Sequence, residues 1–156
     1  MRIHNVHERT LPASPEQVGA LLDEVVRWWP KDRWPALRPD RPLGPGATST
    51  RGPIRERVVE YTPGKRLAFE FLAPKGLVGR HTFEVEGATL RHTVDARAVG
   101  WQRVIWPLAI LPLHDATLED VLDRAEAETT GAAARSRPWT TRVRLLRWGY
   151  RKVAMR

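Results

Sequence analysis

Cysteine is absent from this 156-residue chain, which removes disulfides, thiolate metal ligands and cysteine nucleophiles together. Long hydrophobic runs are absent too. The longest, Val104 to Leu113, is interrupted by Pro107 and Pro112 and falls well short of the roughly 20 apolar residues a bilayer span requires. The first ten residues lack the apolar segment of a secretory signal, so the expected location is cytoplasmic. Lysine is scarce: of 26 basic residues, 22 are Arg and 4 are Lys. Acid is missing from one region only. Residues 135–156 carry 8 basic and no acidic side chains, whereas residues 1–134 carry 18 of each. The net charge of +8 is therefore a property of the tail, and it gives no reason to think the neutral body grips nucleic acid. The sequence also holds no phosphate-binding glycine loop, no serine-nucleophile elbow and no metalloprotease motif.

What is present suits one domain. Hydrophobic residues make up 42% of the chain, enough for a core at this length. Ile3 to Leu11 reads as a strand. Ser14-Pro15-Glu16-Gln17 is a helix start, with Ser14 and Gln17 forming a capping box around Pro15. Val18, Leu21, Leu22 and Val25 then follow at the spacing of one buried helical face. After a proline-rich stretch, strands are expected near 46–52, 54–61, 66–72, 78–86 and 89–99, with turns at Pro63-Gly64 and Gly87-Ala88. Asp115 is placed to cap a last helix, whose stripe is Leu118, Val121, Leu122 and Ala125, and Pro107 and Pro112 are expected to bend or break what precedes it. Strands in a run with helices at either end argue for an α+β fold.

Three segments, LPASPEQVGALLDEVVRWW (11–29), VVEYTPGKRLAFEF (58–71) and PLHDATLEDVLDRAEA (112–127), resemble the polyketide cyclase/dehydrase-like branch of the SRPBCC (START-like, helix-grip) superfamily. The resemblance implies a curved antiparallel sheet of about six or seven strands wrapped around a long C-terminal helix, over residues 1–130. It also implies an interior cavity for an apolar small molecule or lipid, with no cofactor. Some members of the family are cyclases, so catalysis is left open. Residues 131–156 lie outside the pattern.

A two-residue Gly87-Ala88 loop fixes the register of its hairpin. Phe83 then faces His92 and His81 faces Val94, and one face carries His81, Phe83, Val85, Leu90, His92 and Val94. Two inward histidines among apolar neighbours suit hydrogen bonding to a ligand, or acid–base work near neutral pH. The plain alternative is two packed histidines bonded to water or a carbonyl. No third metal ligand stands at a telling spacing, and His4, His7 and His114 are given no role. The expected ligand-contacting set is His81, His92, Phe69, Phe71, Phe83, Val85, Leu90 and Trp101. The face of 54–61 stays open: Ile54 and Val58 bring Glu56 and Glu60 inward, Val59 and Tyr61 bring Arg55 and Arg57. In the tail, Trp139, Val143, Leu146, Tyr150 and Val153 form a stripe if helical, flanked by Arg142, Arg147 and Arg151. Such a helix suits an anionic membrane surface, with peripheral attachment there. Nucleic-acid phosphates or an acidic partner rank behind it, and the helix could equally lie on its own domain.

Overall fold

The computed structural model describes the backbone of residues 1–154 and the side chains of residues 1–149. Its seven strands are β1 (Arg2–Thr10), β2 (Arg38–Pro39), β3 (Thr48–Arg51), β4 (Ile54–Thr62), β5 (Arg66–Ala73), β6 (Leu77–Glu86) and β7 (Thr89–Ala98). They form one antiparallel sheet in the order β1-β7-β6-β5-β4-β3-β2. Two short helices, α1 (Pro15–Asp23) and α2 (Val25–Trp28), follow β1. After β7 the chain is helical from Gln102 to Thr130, through α3 (Gln102–Ile105), a π-helical turn (Trp106–Ile110) and α4 (Leu111–Thr130). The prolines do not break this helix. Pro107 lies in the π turn, where the ladder is already altered, and Pro112 lies just after it, where Arg142 donates to the Pro107 and Leu108 carbonyls one turn back in place of the missing amide. Asp115 consequently caps nothing and sits inside α4. Among the described residues, no helix is long and apolar enough to cross a membrane.

Leu67, Phe69, Phe83 and Leu90 on the sheet pack against Leu118, Val121, Leu122 and Ala125 of α4 and against Val18, Leu22 and Val25. The capping box at Ser14 and Gln17 forms as expected. So does the β6–β7 register, with Phe83 opposite His92 and His81 opposite Val94. In β4 both proposed faces turn out to be half right. Tyr61 pairs with Leu67 and Val58 with Phe69, leaving Val59 as an extra residue. This bulge switches the inward face: Tyr61 packs against the core on one side of it, Val58 and Glu56 are buried on the other.

The N-terminus is not a loose segment. β1 pairs with β7 along its length, and the Met1 amine donates to the Ala98 carbonyl at 2.8 Å. The inner face of β1 is polar between Ile3 and Leu11. Asn5 reaches Asp115, His7 reaches Asp115 and Glu119, and Arg9 reaches Glu119, Asp123 and Glu126. Every second strand residue advances about 6.6 Å and every fourth helical residue about 6.0 Å, so strand and helix run side by side as matched rungs.

The basic tail folds back on the body as α5 (Thr141–Ala154). Its stripe is turned inward: Trp139 Nε1 donates to Asp120 Oδ2 at 3.0 Å, Val143 is buried and Leu146 half-buried. Arg142 donates to the carbonyls of Pro107 and Leu108, and Arg147 to that of Arg33 while stacking over Trp139 at 4.2 Å. The side chains of Tyr150 and Arg151 lie outside the described residues.

Two stability predictions follow from this packing. A Cβ at Gly19 would stand 2.7 Å from the Gly64 carbonyl oxygen, so Gly19→Ala should lose about 1–2 kcal/mol in urea denaturation although alanine favours a helix; a stabilised variant would refute the close docking of α1. Asp120 Oδ2 accepts from Arg33 Nε (2.9 Å), Trp34 Nε1 (2.6 Å) and Trp139 Nε1. Asp120→Ala strands these donors and should cost about 3–5 kcal/mol. It should also expose residues 131–154 to trypsin, and unchanged cleavage would mean the tail is held by other contacts.

Candidate functional site

The inward histidines lie at the heart of a buried polar line. His81 and His92 are 3% and 2% exposed, and Glu56 is fully buried. Glu56 Oε2 lies 2.9 Å from His81 Nε2, and His81 Nδ1 lies 3.1 Å from His92 Nε2. Arg51 Nη2 donates to the same Glu56 oxygen at 3.3 Å, and its guanidinium stacks over Trp29 at 5.3 Å. Neighbouring strands position all of these: Glu56 on β4 by virtue of the bulge, His81 on β6, His92 on β7 and Arg51 on β3. Phe69 stacks on His81 with ring centroids 4.9 Å apart, and Phe71 and Phe83 hold it from either side.

Trp29, Leu37, Arg51, Glu56, His81, Phe83, His92 and Leu118 enclose a small space. It offers about 10 Å³ to the centre of a water-sized molecule, room for one water. The interior cavity implied by the family resemblance is represented here by this small pocket, because Leu67, Phe69, Leu90, Leu118 and Leu122 fill the grip around it. A depression of about 550 Å³ lies elsewhere, bounded by Arg2, Val78, Gly79, Asp95, Ala96 and Arg97. It is open to solvent, and its Gly79 lies two residues along β6 from His81.

Of the residues expected at the site, His81, Phe83 and His92 line the pocket. Phe69 and Leu90 are core beneath it, and Phe71 and Val85 are partly buried at its margins. Trp101 is not part of it. It is 81% exposed, on the turn that follows Gly100, and Trp106 five residues on takes the buried position instead. Sequence reasoning missed Arg51, Trp29, Leu37 and Leu118 as lining residues, left Glu56 undecided, and gave His114 no role. His114 lies in α4 with its ring 5.2 Å from that of His92.

Electrostatics fix the charge states. Burial pushes the Glu56 carboxyl up, but the charges of Arg51 and His81 and their hydrogen bonds outweigh it and hold it at about 2. Burial, reinforced by His81 and other cations, drives His92 well below its ordinary value. Burial likewise takes His114 down to about 4, against the pull of Asp115. With Glu56 ionised, His81 Nε2 carries a proton and donates to it. When His81 is neutral, its Nδ1 accepts from His92 Nε2–H, and His92 Nδ1 is a bare lone pair. When His81 is protonated the polarity reverses, and His92 Nδ1 becomes a donor. The line can therefore present either an acceptor or a donor at its inner end, with the positive charge resting between Glu56 and His92. Three buried atoms of this cluster, Glu56 Oε1, Arg51 Nε and His92 Nδ1, make no hydrogen bond within the protein, which is unusual for buried polar groups.

The pH dependence of stability follows with its sign. His92 and His114 have folded values below 6.5, so the unfolded chain takes up protons first and stability falls as pH drops below 6.5. Glu56 adds a further loss from 4.5 down to about 2, on the order of 3 kcal/mol in all. His7, raised chiefly by its hydrogen bond to Asp115, acts oppositely: its contribution is complete below 6.5 and is lost as pH rises through its folded value. Urea midpoints across pH 3–9 should thus decline on the acid side of pH 6.5. Glu56→Gln should make the limb below 4.5 shallower, the remainder coming from Asp115, whose burial is outweighed by His114 and His7, which hold it low, and should leave the upper limb in place; an unaltered acid limb would show that Glu56 is not held as a buried carboxylate.

No protein-family model matches the chain, and no curated protein does. Solved structures do match its backbone. CalU16 from Micromonospora echinospora aligns over 99% of both chains with a TM-score of 0.54 and 14% identity. EF2215 from Enterococcus faecalis, a conserved protein of unknown function, aligns over 97% of this chain and 86% of its own, with a TM-score of 0.61 and 16% identity. A norcoclaurine synthase point mutant from Thalictrum flavum, solved with a transition-state analogue, aligns over 78% of this chain and 96% of its own, at 0.51 and 13%. Such identities speak for architecture alone. Together with the seven-stranded sheet gripping a long C-terminal helix, they establish that the chain has the helix-grip fold.

Proposed function

We propose that the protein binds a small, largely apolar molecule, or one end of a lipid, in the pocket between sheet and α4, and that Glu56, His81 and His92 recognise a polar group on it. The observation that carries this reading is the set of unpartnered buried atoms beside an apolar-walled space. Glu56 Oε1, Arg51 Nε and His92 Nδ1 are unsatisfied where Trp29, Leu37, Phe83 and Leu118 supply hydrophobic walls. A ligand with one hydrogen-bonding end would satisfy the first set and bury its remainder against the second. The pocket has room for one water as it stands, so a larger ligand requires its wall to move outward. Trp29 and Leu37 are the mobile side of that wall in this reading, because they flank the irregular segment between α2 and β2, whereas the opposite wall is paired sheet. The helix-grip fold, shared with ligand-binding and cyclase proteins, agrees with this general role.

A second reading has one specific observation in its favour. The unbroken Glu56–His81–His92 line could take a proton from a ligand at His92 and stabilise the resulting charge beside Glu56, as a cyclase- or dehydratase-like enzyme requires. It needs the same bound molecule and adds proton transfer.

Native mass spectrometry of the purified full-length protein, with extraction of co-purifying small molecules, is the direct test. A titration with N-phenyl-1-naphthylamine, a neutral apolar amine, quantifies it. One probe should bind per chain. Leu37→Trp, which fills the pocket from its mobile side, and His92→Gln should each weaken binding about tenfold or more, measured at a temperature where the melting curve of each variant shows it folded. If both variants bind the probe like the wild type and nothing co-purifies, the pocket is not a ligand site. If His92→Gln keeps a co-purified ligand but abolishes its conversion, the enzymatic reading prevails.

A further inference from the structure

A second cluster of chemically capable side chains stands where β1 meets α4, its His114 ring 5.2 Å from that of His92 at the pocket. We propose that His7, His114 and Asp115 form a binding site for one divalent transition-metal ion of the zinc class, bridging the edge strand to the helix. Each residue offers one ligand atom, and these atoms lie within 4.8 Å of one another. His7 Nε2 is 3.0 Å and His114 Nδ1 is 3.7 Å from Asp115 Oδ1. Ligands around a tetrahedral zinc stand about 3.4 Å apart at ordinary bond lengths, so the set brackets that spacing and needs only a small inward adjustment of the two rings.

Four features distinguish this cluster from a chance meeting of polar groups. His7 presents Nε2 to the site while its Nδ1 lies 3.2 Å from Glu119 Oε1. An outer carboxylate on the second ring nitrogen is the arrangement that orients a metal-ligating histidine and raises its basicity. Glu119 is itself held by Arg9 at 3.0 Å. Asn5 Nδ2 donates to Asp115 Oδ1 at 3.2 Å and steadies the first-rank carboxylate. His114 Nδ1 is buried and makes no hydrogen bond within the protein. At 3.7 Å from Asp115 it is too far for one, and a metal ion at the centre of the three ligands would use that nitrogen. Finally, Asp115 keeps a side-chain exposure of 43%, which gives an ion access from solvent and leaves a coordination position for water. Two imidazoles and one carboxylate favour zinc, cobalt or nickel over magnesium or calcium, whose preference is for all-oxygen sites.

The test uses untagged full-length protein. Co²⁺ titration followed by visible absorption, and Zn²⁺ titration by calorimetry, should each show one ion per chain with micromolar or tighter affinity. Saturating Zn²⁺ should raise the melting temperature by on the order of 5 °C at a hundredfold excess over Kd. His7→Gln and Asp115→Asn should each weaken binding at least about 100-fold, and Glu119→Gln about 10- to 100-fold. His4→Gln should change nothing, since His4 pairs with Asp95 on the opposite face of β1. Ring-resolved NMR of the wild type gives the same answer without mutagenesis: Zn²⁺ should shift the imidazole signals of His7 and His114 and leave that of His4 in place. The absence of saturation below millimolar metal, binding that survives both His7→Gln and Asp115→Asn, or shifts at His4 in place of His7 and His114 would each overturn the assignment.

Discussion

Helix α4 is an acidic rod, the body of residues 1–134 is neutral only because the rest of it carries the matching positive excess, and the remainder of the molecule is assembled by supplying the helix with cations. Asp115, Glu119, Asp123 and Glu126 face β1 and receive His7 and Arg9. Asp120 receives Arg33 from the segment after α2 and the indoles of Trp34 and Trp139. Arg137 of the tail joins Arg9 on Asp123. Exposed ion pairs contribute little individually, but the carboxylates of Asp120 and Asp123 are 3% and 1% exposed, and a buried charge that loses its partners is strongly unfavourable. Three stretches remote in sequence, the first strand, the loop after α2 and the basic tail, are therefore bound to one helix by the same requirement. The excess charge of the tail finds much of its use inside the molecule.

The interior applies the opposite rule. Facing the sheet, α4 is apolar through Leu118, Val121, Leu122 and Ala125, and the polar groups it covers come from the strands. Glu56, His81 and His92 satisfy one another in a line but leave its ends unspent. A core that filled the rest of the grip with leucine and phenylalanine could have excluded these groups as well. Retaining them, with their ionisation states separated by burial and by Arg51, is what makes this end of the grip chemically specific and not merely packed.

How much of this was written legibly in the sequence depended on whether parity could be counted. In the β6–β7 hairpin a two-residue loop fixes every facing pair, so His81, Phe83 and His92 could be placed inward from the residues alone. In β4 the count fails at Val59, because a bulge there reverses the face, and nothing local announces it. Glu56 was accordingly undecided although it anchors the site. β1 hid its inner face differently: Asn5, His7 and Arg9 are polar, so the alternation that marks a half-buried strand is missing. The matching signal lay over a hundred residues away, in acids four apart at 115, 119 and 123, and only a topology that sets β1 beside α4 joins the two. Trp101 shows the converse error, since apolar character says that a side chain suits burial but not that the turn carrying it faces the core. The amphipathic stripe of the tail was readable; the surface it covers was not.

The rungs between β1 and α4 behave as a vernier. Strand and helix repeats differ by about 0.6 Å per rung, so two scales that coincide at one end drift apart along their length. The side chains lengthen in the direction of the drift: Asn5 meets one carboxylate, His7 two, and Arg9 three. Reach compensates for misregistration, and the order asparagine, histidine, arginine is a graded scale set into the strand. A ladder built this way has a natural length. By Leu11 the offset and the chain's turn toward α1 end it, and the strand returns to the hydrophobic core.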